Sequence, residues 1–255
     1  AKQKAKGIYC LNNNKQMVLA WVLYADDHDG YLPPNPNGKG SRGWVNGWLN
    51  FTPGHRDNTN ILFLIGTKAQ LGAVYPKLGP YTASVGIYKC PADIYMCQMG
   101  DTKMPRVRSN SMNGFLEGGE YDRSRSKTHG SFWYGGWRKY DHLDHITDPE
   151  PSHLWVMVDE HPDSINDGWN IMNPTGDAVW VDFPANYHNG ACGYAFADGH
   201  AEIKKWTDPV PRDEPVLQPQ GPSGRNRIPN HGARKGRQND YWWVIERSTA
   251  LINKP

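Results

Sequence analysis

The stretch that most constrains the fold of this chain is residues 186–206. Large and small apolar residues alternate over 194–197, which is the period of a strand with two different faces. Asp198-Gly199 is a tight-turn signal, since Gly tolerates a positive φ and Asp can hydrogen-bond its own backbone. A second alternating segment, 200–206, follows the turn. The sequence therefore predicts a β-hairpin, with His188 placed before its first strand.

Two other segments predict the elements that pack with this hairpin. Residues 7–26 carry apolar side chains at helical spacing, and Asp29-Gly30 follows them as a stop signal. The apolar run 153–158 predicts a central strand. We expect one α+β domain over residues 1–255, with a long N-terminal helix packed on an antiparallel sheet and large loop insertions.

The rest of the chain is poorer in periodic pattern. We expect a helix at 60–71, and short strands at 85–88, 107–112 and 178–183. Residues 241–251 predict a short closing helix or strand. Long polar segments predict a loop-rich insertion at 94–150 and an extended loop at 207–239, while residues 1–30 form the N-terminal helical stem.

Composition excludes several classes of protein. The net charge of +2 implies no general field for nucleic acid. The sequence carries no nucleophile elbow and no P-loop. Its four cysteines permit two disulfides in three pairings, or buried free thiols. Cys90 and Cys97 are the pair closest in sequence, and a bridge between them is the pairing we would expect first.

The hairpin and the strand before it bring together side chains that can carry chemistry. Three interpretations stay open. In the first, His188 donates to the turn around Asp198 and only fixes the hairpin. In the second, a divalent ion such as calcium or zinc is bound. The ligands of this metal site would be Asp159, Glu160, Asp198 and His200.

The third interpretation is catalysis on an acidic polysaccharide. A His or Tyr base can remove the C5 proton of a uronic acid once Arg or His groups neutralise the adjacent carboxylate. The segment 106–145 interleaves basic and aromatic residues, although a solvated insertion explains the same composition. The catalytic groups would be Tyr187, His188, Arg108, His129 and Arg138, and the substrate-binding groups Arg123, Arg125, Trp133, Tyr134 and Trp137.

Several blocks of the chain together resemble one bacterial family. These blocks are Cys10-Leu11-Asn12-Asn13-Asn14-Lys15-Gln16, Tyr88-Lys89-Cys90-Pro91-Ala92-Asp93, the segment 108–114, Asp159-Glu160, and Tyr241-Trp242-Trp243. With nine residues between His188 and Asp198-Gly199, the chain is similar to pseudopilin-like proteins of type II secretion systems. These proteins, abundant in planctomycetes and verrucomicrobia, carry a prepilin-type N-terminus and a C-terminal His-x9-Asp-Gly motif.

The resemblance implies a pilin-like fold and a surface-exposed subunit, located outside the cell, at the cell surface or in the periplasm. Its partners would be other pilin-like subunits, bound through a hydrophobic stem expected to precede Ala1. Membrane contact would occur only through that stem, and no nucleic acid would be bound. The alternative is a secreted protein on the same scaffold that binds or cleaves an acidic polysaccharide.

Overall fold

A computed structural model describes residues 2–37, 43–116, 134–175, 180–218 and 239–252. Its helices are α1 (Lys2–Asp26), α2 (Leu62–Ile65), α3 (Lys68–Leu71), α4 (Gly79–Thr82), α5 (Pro209–Arg212) and α6 (Asn239–Ile245). Its strands are β1 (Met96–Met99), β2 (Thr102–Pro105), β3 (Asn110–Asn113), β4 (Trp155–Asp159), β5 (Trp169–Asn170), β6 (Ala191–Phe196) and β7 (Ala201–Lys205). The α+β class is confirmed.

The N-terminal helix is the longest element and begins earlier than the pattern predicted. Its buried face includes Cys10, Met17 and Trp21, which recur at helical spacing. The helix ends because the backbone turns left-handed at Gly30, whose φ is 84° and whose N–H donates to Ala25 O at 2.8 Å. None of the helices in the described ranges is both long enough and apolar enough to span a membrane.

Five strands form the main sheet, in the order β5-β3-β4-β6-β7. The predicted hairpin is confirmed as the antiparallel pair β6–β7, and β4 lies at the centre of the sheet. The expectation of a purely antiparallel sheet is wrong at one edge, because β5 pairs with β3 in parallel. The sheet is therefore mixed, and β1 and β2 form a separate two-stranded hairpin.

Both faces of the main sheet are covered, which explains why every residue of β6 is buried. Ala195 belongs to a buried cluster with Met17 and Trp21 of α1. Tyr194 lies on the other face, in a second cluster with Tyr241 of α6. The alternation of small and large residues in β6 thus matches a helix on one side and aromatic rings on the other.

Other predicted elements differ from the structure. The helix expected at 60–71 is two short helices, α2 and α3, because the backbone is extended at Gly66. The strand expected at 85–88 is a 3₁₀ turn. Residues 180–183, the described part of the strand expected at 178–183, are not in a strand. The segment 94–150 is not wholly an insertion, since it supplies β3 to the main sheet.

Candidate metal centre

Four side chains from distant parts of the chain meet between α1 and the sheet. They are Cys10, Cys90, Asp159 and His188, and one donor atom from each lies within 4.8 Å of every other. All four residues are buried. The group consists of two thiols, one carboxylate and one imidazole, so it can hold a metal ion.

Helix α1 supplies Cys10 and holds it with two neighbouring amides. The Cys10 thiol donates to Asp159, with Sγ 2.8 Å from Oδ2 and 3.0 Å from Oδ1. One turn further along, Asn14 Oδ1 accepts from Asn110 Nδ2 at 2.8 Å. Asn13 Nδ2 donates to Lys89 O at 3.2 Å. These polar contacts set the rotation of α1 over the sheet, and with it the direction of the Cys10 side chain.

Cys90 sits in a tight turn that orients its sulfur. Asp93 N–H donates to Cys90 O at 3.0 Å, which closes the turn. Ala92 N–H lies 3.4 Å from Cys90 Sγ and donates to it. Ser109 fixes both ends of this turn, because its Oγ accepts from Cys90 N at 3.0 Å and donates to Asp93 Oδ2 at 2.9 Å. The backbone therefore presents Cys90 Sγ to the cluster.

Asp159 is the last residue of β4, and the adjacent strand approaches its carboxylate closely. Gly193 N–H donates to Asp159 Oδ2 at 3.3 Å. A Cβ on Gly193 would lie only 2.9 Å from that oxygen, so a larger residue at this point would displace the carboxylate. Asp159 O accepts from Ala185 N at 2.8 Å, which fixes the backbone behind the carboxylate.

His188 reaches the cluster from the turn that leads into β6. This turn has left-handed residues at Asn189 (φ 58°) and Gly190 (φ 71°), and His188 N–H donates to Ala191 O at 3.2 Å. The ring nitrogen Nε2 lies 3.6 Å from both Cys90 Sγ and Asp159 Oδ2. Among the described residues, Nδ1 of His188 has no hydrogen-bond partner.

The ionisable groups of the cluster change one another's pKa values. Hydrogen bonding to Cys90, together with burial, raises the pKa of Cys10. The pKa of Cys90 is lowered, and the largest cause is its hydrogen-bonding interaction with Cys10. Burial lowers the pKa of His188, but Asp159 and Cys90 outweigh it and raise that pKa to about 9. The metal-free cluster therefore holds protons between its donor atoms, in the place that a cation would take.

Of the four predicted metal ligands, Asp159 lies in the cluster and the other three lie elsewhere. Glu160 points to the opposite side, where Ser164 Oγ donates to Oε1 at 2.6 Å, and burial raises its pKa to about 7. Asp198 and His200 pair with each other at 2.6 Å in the exposed turn. That turn lies at the far end of β6 from His188, so His188 does not donate to it.

Two residues predicted for catalysis, one buried and one half-buried, bond to backbone carbonyls. Arg108 is fully buried, and its guanidinium donates to Asn110 O at 2.9 Å and Asn166 O at 3.0 Å. Tyr187 OH donates to Glu160 O at 3.1 Å. Both side chains thus hold the backbone of neighbouring segments.

Three other predicted glycan-site residues are described, namely Tyr134, Trp137 and Arg138, and they lie away from His188. The backbone N–H of Arg138 donates to Ala250 O, and Trp137 forms a β-bridge with Leu251. The same C-terminal segment holds the start of β4, because Arg247 O accepts from the N–H of Trp155. Tyr134 packs against Phe115 in the same region. Asp159 and His188 lie at the opposite end of β4. The remaining residues of that prediction, Arg123, Arg125, His129 and Trp133, lie outside the described residues.

The four cysteines are free and buried, so the expected Cys90–Cys97 bridge is not formed. Cys97 instead donates to Met104 O at 3.2 Å within the β1–β2 hairpin. From the sequence, disulfides or buried free thiols were expected, and neither expectation included Cys10 or Cys90 as a metal ligand. The sequence did contain a signal for Cys10. Cys10 and Asn14 are four residues apart, so they share one face of α1, and a thiol and an amide on the face that turns inward indicate a polar contact there.

The fold and the site define a mixed α+β domain whose N-terminal helix and central sheet meet at a buried cluster of two cysteines, an aspartate and a histidine. Comparisons of the chain with protein-family models, curated proteins and solved structures gave no match.

Proposed function

We propose that the Cys10/Cys90/Asp159/His188 cluster binds zinc and that the protein is a non-enzymatic, pilin-like surface subunit whose N-terminal helix this ion fastens to its sheet. One observation carries the zinc proposal. Four donors of the types that zinc prefers lie within 4.8 Å of one another in the protein interior, although they come from four separate segments.

The distances between donor atoms agree with a tetrahedral zinc site. With Zn–S bonds near 2.3 Å and Zn–N or Zn–O bonds near 2.0–2.2 Å, the edges of the tetrahedron are about 3.3–3.8 Å. His188 Nε2 lies 3.6 Å from both Cys90 Sγ and Asp159 Oδ2. The distance from Cys10 Sγ to Asp159 Oδ2 is 2.8 Å, because a thiol proton joins these atoms; replacing that proton by zinc would lengthen this edge.

The donor set favours zinc over calcium. Calcium takes about six to eight oxygen ligands, whereas Asp159 is the only oxygen donor among the four. Thiolate ligands favour soft or borderline cations such as zinc. Of the two ions that the sequence suggested, zinc is therefore the one we propose.

The same geometry favours a structural role over catalysis. Four protein ligands complete the shell of a tetrahedral zinc, whereas catalytic zinc sites keep a position for water or substrate. The most exposed of the four residues, His188, is only 8% exposed. We therefore propose that the ion stabilises the domain and does not activate water.

The architecture supports the proposal of a pilin-like subunit. Helix α1 covers one face of the sheet, and its outer face carries Ile8, Leu19 and Leu23, which are 69%, 58% and 43% exposed. Exposed apolar side chains on a helix suit packing against the helices of neighbouring subunits. We propose that such subunits are the partners and that the protein is displayed outside the cell, at its surface or in the periplasm.

The polysaccharide alternative has less support. Its proposed base, His188, faces the buried cluster, and the described residues of its substrate site lie at the other end of β4. We do not propose glycan cleavage for this centre.

Elemental analysis of the purified protein, reconstituted with zinc and then dialysed, tests the proposal. We expect one zinc per chain, retained in excess calcium, and about none in Cys90→Ser; Cys97→Ser is the matched control, since Cys97 is buried outside the cluster. Cobalt(II) provides a second readout, because thiolate-to-metal absorption bands appear only if sulfur ligates. A chain that retains no zinc, or a Cys90→Ser variant that retains as much as the parent, would refute the metal proposal.

A further inference from the structure

We infer that Cys10 and Cys90 are also a redox pair: in the zinc-free protein a peroxide converts them to a disulfide that joins α1 to the turn at residue 90. This inference rests on the proposed function, because it assigns a second state to the proposed zinc site. The two states exclude each other, since both use the same two sulfur atoms.

The position of the two thiols carries the inference. Their Sγ atoms lie within 4.8 Å of each other, although 79 residues lie between them in the sequence. A disulfide requires the sulfurs to approach to about 2.05 Å, a shift that side-chain rotation and a small backbone movement can supply. A bond here would link two separate elements, so it would hold the helix as the zinc ion does.

The other two cysteines are placed differently. Cys97 donates to Met104 O at 3.2 Å within the β1–β2 hairpin. Cys192 lies with the aromatic rings on the other face of the sheet and donates to Asp159 O at 3.1 Å. Within the described residues, Cys10 and Cys90 are thus the pair that the fold brings together at one site.

The chemistry balances with a peroxide as the oxidant. Cys90 Sγ attacks one peroxide oxygen, the O–O bond breaks, and a sulfenic acid and one water form. Protonated His188, whose Nε2 lies 3.6 Å from that sulfur, can give its proton to the departing oxygen, which leaves as the water. Cys10 Sγ then attacks the Cys90 sulfur, the S–O bond breaks, and a second water leaves. Two thiols lose two electrons and two protons, and one peroxide becomes two waters.

Zinc should oppose this reaction. A thiolate bound to zinc shares with the metal the electron pair that would attack the peroxide, and the metal also holds the sulfurs apart at a tetrahedral edge of about 3.8 Å. Zinc must therefore leave before the S–S bond forms. Once the bond has formed, Asp159 and His188 are the remaining donors, and zinc is not rebound until a thiol reductant restores both cysteines.

The test uses the unsubstituted chain in zinc-free and zinc-loaded forms, each exposed to hydrogen peroxide. Thiols are counted by alkylation after denaturation, and the bridge is located by mass spectrometry of peptides. We expect the zinc-free form to lose two of its four thiols as a Cys10–Cys90 disulfide. The zinc-loaded form should lose its thiols about tenfold more slowly than the zinc-free form. Its zinc should be released in step with the loss of thiols.

Cys97→Ser should form the same bridge at the same rate and is the matched control. Four surviving thiols in the zinc-free protein, over-oxidised cysteines without a bridge, or a bridge to Cys97 would each overturn the inference. These outcomes are separable from failure of the zinc site. A chain that forms the bridge but binds no zinc refutes the metal proposal alone, and one that binds zinc without forming the bridge refutes the redox pair alone.

Discussion

Cys10 Sγ lies 2.8 Å from Asp159 Oδ2, although 149 positions separate the two residues in sequence. Cys10 is on helix α1 and Asp159 is the last residue of the central strand β4, so this contact links the helix directly to the sheet. A metal ion held between them would make the docking depend on metal.

Zinc should therefore stabilise the folded protein. A ligand that binds only the native state contributes about 2.7 kcal/mol when its free concentration is 100 times its Kd. We expect the free energy of unfolding, measured by urea denaturation, to rise by this amount under that condition. Cys10→Ser should lose the increase, and Cys97→Ser should keep it. A zinc-independent unfolding curve for the unsubstituted chain would contradict the prediction.

Gly193→Ala should weaken zinc binding without removing a ligand. The added Cβ would lie 2.9 Å from Asp159 Oδ2 and 3.2 Å from Asn14 Nδ2, so the carboxylate must move. Displacing a group that orients a ligand costs about 10–100-fold in metal affinity. Gly135→Ala is the control, because a Cβ there meets nothing within 4 Å. Competition with a chromophoric chelator measures both affinities, and equal values would exclude a positioning role for Gly193.

Zinc affinity should fall as the pH is lowered. The pKa of His188 in the metal-free protein is raised to about 9, and that of Cys10 is raised as well, so both groups carry protons at neutral pH. Each proton that zinc displaces reduces the apparent affinity about tenfold per pH unit. Calorimetry in two buffers of different ionisation enthalpy would count the released protons. No release at pH 7 would contradict this account.

The zinc-free protein should show the opposite trend with pH, because protonated His188 is then itself a stabilising group. Its folded pKa of about 9 exceeds the ordinary value of 6.5. This stabilisation is complete below about pH 6.5 and is lost as the pH rises through about 9. In the presence of a chelator, we expect the unfolding midpoint to fall across that window. His188→Gln should flatten the profile, and an unchanged slope in this variant would count against the assignment.

Asp198→Asn and His200→Ala should leave zinc binding unchanged. These residues pair in the exposed turn at the end of β6 remote from the cluster. Exposed ion pairs contribute about 0–1 kcal/mol, so a small change in stability is the expected effect. If either variant loses zinc in elemental analysis, the assignment of the metal centre is wrong.

Arg108→Lys should destabilise the protein rather than alter an active site. The guanidinium is fully buried and bonds three backbone carbonyls and the Ser111 hydroxyl, an arrangement that a lysine cannot reproduce. Each buried carbonyl left without its donor costs about 1–3 kcal/mol. Chemical denaturation should show this loss, together with unchanged zinc content in the folded fraction. A variant as stable as the parent would show that Arg108 is not structural.

Local pattern was enough to predict the elements that organise the fold. The helix over 7–26, the central strand from 153–158 and the hairpin with its Asp198-Gly199 turn each appear, with shifted ends. The apolar period of each element shows which of its side chains face the core, and this period can be read from a short run of sequence. The strand expected at 85–88 failed because four apolar-rich residues without a long period fit a buried turn equally well.

The residues that form the site could not be predicted from local pattern in the same way. His188 and Asp159 were visible in the sequence as strand-end residues, but their grouping with Glu160, Asp198 and His200 assumed that neighbours in sequence are neighbours in space. Side chains alternate along a strand, so Glu160 points away from Asp159, and the length of β6 separates Asp198 from His188.

Local sequence pattern suffices to predict the α+β class, the N-terminal helix, the central strand and the hairpin, because each depends on contacts that repeat within a few residues. The meeting of Cys10 and Cys90 with Asp159 and His188 becomes apparent only in the folded chain. That meeting depends on the rotation of α1 over the sheet and on the path of the chain between residues 26 and 90. Both result from packing between distant segments, which no local period encodes.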